Sequence, residues 1–322
     1  MRALRVQALS NDLSGVALAD LPEPRRGPGQ VLVRVRAAAL NYPDLLMTQG
    51  RYQLKPDPPF TLGMEMAGEV AECDADSGLH IGEHVVAGTR LGAFAEHVAV
   101  DAAALRPVPP NLGFAEAAAV GAAYLTAWVA LVRLGRMQAG EWVLVHGATG
   151  GVGLAAVDLA RALGARIIAT SRSAEKLAQV AADYPVDAAL PAPGFREQVK
   201  ALTGGGTDLV FDPVGGDVFD ESTRCIAWGG RLLVVGFTSG RIAAVPANIP
   251  LIKGFSVIGV RAGEQGRRFP EQGREDRNAV WALAAEGRIR PRVHARYPLG
   301  DWRAAFEAMA RAEHLGRLVL EP

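Results

Sequence analysis

The stretch Val143-Leu144-Val145-His146-Gly147-Ala148-Thr149-Gly150-Gly151-Val152-Gly153 decides the fold. An apolar run of strand length enters a glycine-rich turn, and the turn opens an Ala-rich segment of helical character. Ala148-x-Gly150-x-x-Gly153 has the dinucleotide-binding spacing, with alanine in the first glycine slot. Small residues are needed here because a pyrophosphate must approach backbone N–H groups at the positive end of a helix. Ala148, Gly150, Gly151, Val152 and Gly153 are therefore candidate phosphate contacts. The plain alternative is an ordinary glycine turn between strand and helix.

Downstream, strands and helices alternate. Strands are expected at 142–146, 166–170, 188–190, 209–212, 231–236 and 255–260, and helices at 152–163, 174–182, 195–203 and 218–226. Nearly continuous apolar strands separated by helices mark a doubly wound parallel sheet, a Rossmann unit. The second strand leads into Ser171-Arg172-Ser173, with Lys176 beyond. An NAD-binding unit would carry Asp or Glu there, about 20 residues past the loop, to hold the ribose 2′-hydroxyl. Ser171, Arg172 and Lys176 suit a 2′-phosphate instead, which points to NADPH. The competing reading is a solvated helix start in which Ser173 is only a cap.

Upstream of residue 112 the chain reads as β-rich, with strands at 31–36, 66–73 and 84–87 between Gly/Pro turns. Residues 114–134 read as one or two Ala-rich helices. After residue 263 the β-α period is lost: helices are expected at 274–286 and 302–313, with one strand at 316–320. A tail with a single strand does not make a domain, so it is expected to return to the N-terminal part. The division is then 1–122, 123–263 and 264–322, with the Rossmann unit an insertion.

Composition bounds the function. The 322 residues are 49% apolar and 21% charged, enough to bury a core and too apolar for disorder. Thirty-four basic residues balance thirty-four acidic ones, which argues against a nucleic-acid or membrane-surface partner. Two cysteines exclude a disulfide scaffold and fit a reducing, cytoplasmic setting; Cys73, in an apolar strand, reads as a structural thiol. The start, Met1-Arg2-Ala3-Leu4-Arg5-Val6, has no apolar signal core, and the uncharged run 117–132 is short for a membrane span. Six dispersed histidines form no metal-ligand pattern. No tyrosine is followed by Lys four residues on, which excludes the short-chain reductase catalytic pair, and no Gly-x-Ser-x-Gly elbow occurs.

Asn41-Tyr42-Pro43-Asp44, Gly50-Arg51-Tyr52, Gly63-Met64-Glu65-Met66-Ala67-Gly68, Leu125-Thr126-Ala127, Gly150-Gly151-Val152-Gly153, Asp212-Pro213-Val214-Gly215-Gly216 and Val234-Val235-Gly236-Phe237 occur in that order. Through them the whole chain resembles the zinc-independent quinone oxidoreductases of the medium-chain dehydrogenase/reductase superfamily. The resemblance implies a Rossmann domain inserted in a GroES-like catalytic domain, with the cofactor in the cleft between them. It places Asn41 and Thr126 near the nicotinamide, with Gly215, Gly236 and Phe237 in loops beside it. It assigns the 2′-phosphate to Ser171, Arg172 and Lys176. Arg317, after Gly316, is either a cofactor contact or a solvated side chain. The zinc-dependent branch has Cys where this chain has Asp44 and His where it has Met64, so no metal is expected. Leu190-Pro191 replaces a tyrosine common near the adenosine in relatives.

The function expected is metal-independent, NADPH-dependent reduction of quinones or α,β-unsaturated carbonyls. Enoyl-thioester reduction, or NADPH binding with little turnover, are the alternatives. Tyr52 is a candidate proton donor by similarity to the enoyl-thioester reductases, against a role as a wall residue. A homodimer is expected through the edge strand 255–260, unless the helix from Arg274 covers that edge.

Overall fold

A computed structural model describes all 322 residues, which divide into two compact units, Met1–Ala122 with Pro291–Pro322, and Ala123–Arg290.

The second unit is built on six parallel strands. Their spatial order is Ala188–Pro191, Arg166–Ser171, Trp142–Val145, Thr207–Asp212, Ile226–Val234 and Ser256–Gly259. In chain order this is third, second, first, fourth, fifth, sixth, the doubly wound arrangement with its switch point beside the first strand. Leu144 pairs with Ile168 on one side and with Val210 on the other. Val143, Leu144, Val145, Leu209, Val210 and Phe211 are wholly buried, as strands covered on both faces must be. Helices Gly151–Ala162, Ala174–Asp183, Arg196–Thr203 and Gly216–Ser222 make the crossovers.

Two boundaries differ from expectation. The helix expected to run to Ile226 stops at Ser222, whose hydroxyl bonds back to the Val218 carbonyl at 2.7 Å. Ile226 then begins a nine-residue strand that passes through Gly229-Gly230, where the expected strand began only at 231. The return to the first unit begins at Pro291, not at 264. Helix Pro270–Ala285 is held to the second unit by Asp276, which accepts from Trp128 Nε1 at 3.0 Å and from Arg133 Nη2 at 2.7 Å. The Asp158 carboxylate accepts the Arg290 N–H at 2.5 Å.

The first unit is β-rich. A seven-stranded sheet is centred on Gln30–Ala39, paired with Glu65–Glu72, His97–Asp101 and the terminal strand Arg317–Glu321. A second sheet joins Val16–Asp20, Arg2–Val6 and Phe60–Thr61. The returning segment has two strands, not one: Val293–Pro298 pairs in parallel with Arg317–Glu321 across helix Trp302–Ala310. The polar run Arg292-Val293-His294-Ala295-Arg296 hides that strand from an apolar-pattern reading. The 21-residue run Phe114–Leu134 is long and apolar enough to cross a membrane, longer than the expected 16-residue stretch 117–132, but more than half of its most apolar 18 residues are buried in the protein. It is α-helical to Trp128 and closes in a π-helical segment, Val129–Leu134.

Candidate functional site

The phosphate loop leaves the first strand at Val145 and enters helix Gly151–Ala162 with Gly150 as N-cap. Gly150 N–H is tied back to Gly147 O at 2.9 Å, and Ala148 N–H to Thr170 O at 3.0 Å. The helix's own ladder begins at Leu154 N–H, which donates to Gly150 O. The N–H groups of Gly151, Val152 and Gly153 therefore open the helix without a partner in the ladder. Gly153 is fixed by packing: a Cβ there would stand 2.1 Å from Gly147 O, so only glycine lets the helix lie on the turn. At Gly150 a Cβ would meet nothing nearer than 3.5 Å, so that position is open.

Beneath the loop, His146 is buried between two hydroxyls, with Nδ1 2.7 Å from Thr170 Oγ1 and Nε2 2.7 Å from Ser222 Oγ. Ser222 Oγ–H donates to Val218 O, so Nε2 carries the imidazole proton and Nδ1 accepts from Thr170. Burial pushes the imidazole pKa down to about 3, so the ring is neutral. It ties the first strand to the second strand and to helix Gly216–Ser222. Sequence reading passed over it, because a single histidine in an apolar run carries no signal.

At the end of the second strand, buried Ser171 Oγ lies 3.1 Å from Thr149 Oγ1 and accepts Ser173 N–H at 3.2 Å. Ser173 Oγ caps the next helix through Lys176 N–H at 3.3 Å. Ser171 thus shapes this edge. Arg172 is exposed and in no ion pair, while Lys176 is half-buried. The cap and the basic edge coexist.

The loops after the fourth and fifth strands interlock. Asp212 Oδ1 accepts N–H groups of Val214 and Gly215 at 2.8 and 2.9 Å, and its Oδ2 is buried without a partner. Burial raises the Asp212 pKa against those two hydrogen bonds. Gly215 takes φ +68°, and a Cβ there would lie 3.0 Å from the Phe237 ring. Gly236 packs on Pro213 O, while Phe237 is 40% exposed. Thr126 is half-buried on helix Phe114–Trp128.

In the first unit the structure brings Asn41 and Arg317 together around Glu65, all three buried. Arg317 Nη1 and Nη2 both donate to Asn41 Oδ1 at 3.1 Å, and Nη2 also bonds Glu65 Oε1. Asn41 Nδ2 donates to Ala39 O at 3.2 Å and to Glu65 Oε1 at 2.9 Å. Glu65 Oε2 accepts Ala122 N–H at 2.7 Å. Every hydrogen-bonding valence of the Asn41 carboxamide is used inside its own unit, so its part here is to hold the chain, and a polar cofactor contact does not fit it. Arg317 is 5% exposed, which excludes the solvated alternative. Asp44 accepts Asn41 N–H at 2.9 Å and Gly63 N–H at 3.3 Å. Burial, reinforced by Glu65 nearby, raises its pKa to about 7. Glu65 is missed as a site residue by the sequence reading; its signal is a carboxylate on the buried side of its strand, at the end where Met66 and Ala67 are also buried. Tyr52 packs against the hydrophobic core of this unit. Cys73 is half-buried with Sγ 3.3 Å from Leu79 O, and Cys225 is buried with its thiol pKa pushed up to about 12.

Residues 27–110 match the alcohol dehydrogenase GroES-like domain, and residues 151–281 match the zinc-binding dehydrogenase domain. A quinone oxidoreductase-like protein 2 homolog of Nematostella vectensis is 36% identical over 303 residues, covering 91% of this chain and 82% of that protein. The chain belongs to the quinone oxidoreductase-like branch of the medium-chain dehydrogenase/reductase superfamily. Within that branch, the Thermus thermophilus quinone oxidoreductase, solved alone and with NADPH, superimposes with TM-score 0.88 at 34% identity over the full length of both chains. A phthioceranic/hydroxyphthioceranic acid synthase of Mycobacterium tuberculosis is 33% identical over 314 residues, 96% of this chain but 15% of the synthase. For a member of this branch, the fold is the one expected from sequence.

Proposed function

We propose that this chain is an NADPH-dependent reductase of quinones or α,β-unsaturated carbonyls that works without a metal. The observation that carries the reading is the edge after the second strand, where an exposed, unpaired Arg172 stands in place of a ribose-binding carboxylate. The cofactor is NADPH, as in the related quinone oxidoreductase. The loop fits its pyrophosphate: the first-turn N–H groups are open and Gly150 leaves room for close approach. Ala148, Gly150, Gly151, Val152 and Gly153 hold the phosphates, and Arg172 with Lys176 takes the 2′-phosphate on an edge shaped by Ser171. Gly215, Gly236, Phe237 and Thr126 flank the nicotinamide end. Bound NADPH supplies the hydride; the chain's residues bind, orient and exclude water. Tyr52 is the proton donor we favour for enones, since a phenol with a reference pKa of about 10 is protonated near neutrality. Asp44 and Met64 are poor zinc ligands, and the Asp44 carboxyl is already held by two backbone N–H groups.

The match to the acid synthase favours enoyl-thioester reduction as a second reading. NADPH oxidation with 1,2-naphthoquinone, with a crotonyl thioester and with no acceptor separates the possibilities. Turnover with the quinone alone supports the first, and turnover with the thioester alone supports the second. No turnover above the blank refutes both and leaves an NADPH-binding protein. We place the protein in the cytoplasm as a homodimer paired through strand Ser256–Gly259, the edge of the parallel sheet. Val257 on that edge is 38% exposed, and Trp228 (81%) and Leu251 (79%) are exposed in the same unit. Exposed large apolar side chains of this kind favour a covered surface.

A further inference from the structure

We infer that the acceptor carries an anionic group, a carboxylate or a phosphate, bound by Arg277 and Arg267 at a small groove in the second unit. This rests on the reductase reading and adds the substrate class. The groove, about 120 Å³, has Leu125 and Val129 on one wall. The opposite wall comes from helices Ala262–Arg268 and Pro270–Ala285, with Arg267 and Arg277 among its lining side chains. Leu125 and Val129 flank Thr126 in sequence, the position that family resemblance sets near the nicotinamide. Whole-ligand pockets run to about 300–1,000 Å³. A groove this small takes one charged group of a larger acceptor.

The two helices meet backbone to backbone. A Cβ on Gly273 would stand 2.7 Å from Gly266 Cα, so bulkier residues would push them apart. The Arg277 guanidinium lies beside this contact, with Nη1 3.7 Å from where a Gly266 Cβ would stand. Three carboxylates of these helices, including Asp276 in the groove's lining, are paired with arginines. Asp276, 1% exposed, is bound by Arg133 and Trp128, and Glu275 lies 3.0 Å from Arg133. Glu264 is shared by Arg267 and Arg268, both at 2.9 Å, with Arg261 at 3.9 Å. Segment 261–277 holds five arginines against four carboxylates, and Arg133 adds a sixth guanidinium. Arg277 has no carboxylate partner, and Arg267 shares its own with two other arginines. A guanidinium with free donors beside a groove whose acids are neutralised selects a carboxylate or a phosphate.

Two pairs of acceptors test this, each with one reacting group and two charges: crotonyl-coenzyme A against the crotonyl thioester of N-acetylcysteamine, and 4-oxo-2-pentenoate against its methyl ester. The first pair asks about phosphate and the second about carboxylate. In at least one pair, the anionic member is expected to have the higher kcat/KM by about tenfold at low salt. Arg277→Gln should collapse that ratio through KM, and Arg277→Lys should restore part of it. Calorimetric titration with coenzyme A and with 4-oxopentanoate gives a readout without turnover, and binding of one of them should weaken in Arg277→Gln. Equal kcat/KM within both pairs, or ratios indifferent to Arg277, would overturn the inference while leaving the reductase reading intact. Absence of turnover with these four acceptors and with 1,2-naphthoquinone would refute the reductase reading instead, and calorimetry would then judge the groove alone.

Discussion

Replacing Gly153 with Ala should damage the fold and cofactor binding together, whereas Gly150→Ala should damage binding with little effect on the fold. In Gly153→Ala the new Cβ would lie 2.1 Å from Gly147 O and 2.6 Å from Gly147 C, both backbone atoms that no rotamer change can move. The helix must lift from the turn by about 1 Å, and overpacking of this kind costs about 1–3 kcal/mol. Helix propensity returns up to about 1 kcal/mol of that. The net loss of roughly 1–2 kcal/mol lowers Tm by about 3–6 °C for a unit of this size. The same shift turns the N–H groups of Gly151, Val152 and Gly153 away from the pyrophosphate, so NADPH affinity should fall by more than tenfold. At Gly150 the nearest atom to a Cβ is 3.5 Å away and φ is −86°, a conformation alanine accepts. Only the weaker N-cap is lost, roughly 0.5 kcal/mol, while the methyl stands where the phosphate approaches. Thermal unfolding of the cofactor-free protein and NADPH titration by tryptophan fluorescence separate the two variants. A Gly153→Ala protein that melts with the parent and binds NADPH normally would refute the packing argument.

Arg172→Asp should weaken NADPH binding far more than NADH binding; the parent should favour NADPH by about 10- to 100-fold from one or two charge-assisted contacts of about 1.5–3 kcal/mol each, and equal kcat/KM for the two cofactors would contradict this. Tyr52→Phe should lower kcat with an enone by about 10²–10⁴-fold at unchanged NADPH affinity; less than a threefold loss with every active acceptor would leave Tyr52 a wall residue. Light scattering should give a dimer, converted to monomer by an Asp at Val257 on the sheet edge, and a monomeric parent would remove the interface. Stability should respond to two buried groups of opposite sign. His146, about 3 folded against 6.5 unfolded, contributes stability that is present above pH 6.5 and lost as pH falls toward 3. Asp44, about 7 folded against 3.8 unfolded, contributes stability that is full below pH 3.8 and lost as pH rises through 7. Their slopes cancel between about pH 4 and 6.5, so Asp44→Asn should expose an acid destabilisation of roughly 1.4 kcal/mol per pH unit in urea titrations; an unchanged pH profile in that variant would refute the pairing.

The parallel sheet was legible because most of its strands are short apolar runs closed by Gly, Pro or a cap, the fifth being recognised only in its second half. The loop was legible because Gly153 has to be glycine for local reasons. The strand Val293–Pro298 was not, because it alternates half-buried and exposed positions and gains its place only by pairing with a strand about twenty residues later. The extent of the second unit was misread for a similar reason. Asp158 and Asp276 bind it to residues far away in sequence, and nothing near residue 264 announces that link. Arg317 and Glu65, 252 residues apart, could not be paired by any local pattern.

Hydrogen-bond valence divides the polar residues into two groups that sequence could not separate. Asn41 and His146 use all their donors and acceptors within their own units. A ligand that sought them would first have to break bonds made in a low-dielectric interior, where an unpaired buried polar group costs about 1–3 kcal/mol. These side chains hold the backbone in place. Arg172, Arg277 and the first-turn N–H groups at Gly151, Val152 and Gly153 keep donors that no protein acceptor takes, and all of these are cationic or at a positive helix end. These free donors are anion-seeking at three separate places in the second unit. On the proposed reading, pyrophosphate and 2′-phosphate would account for two of them. The third, at Arg277, is unexplained if the acceptor is an uncharged quinone alone, and that mismatch is the reason to look for an acidic substrate.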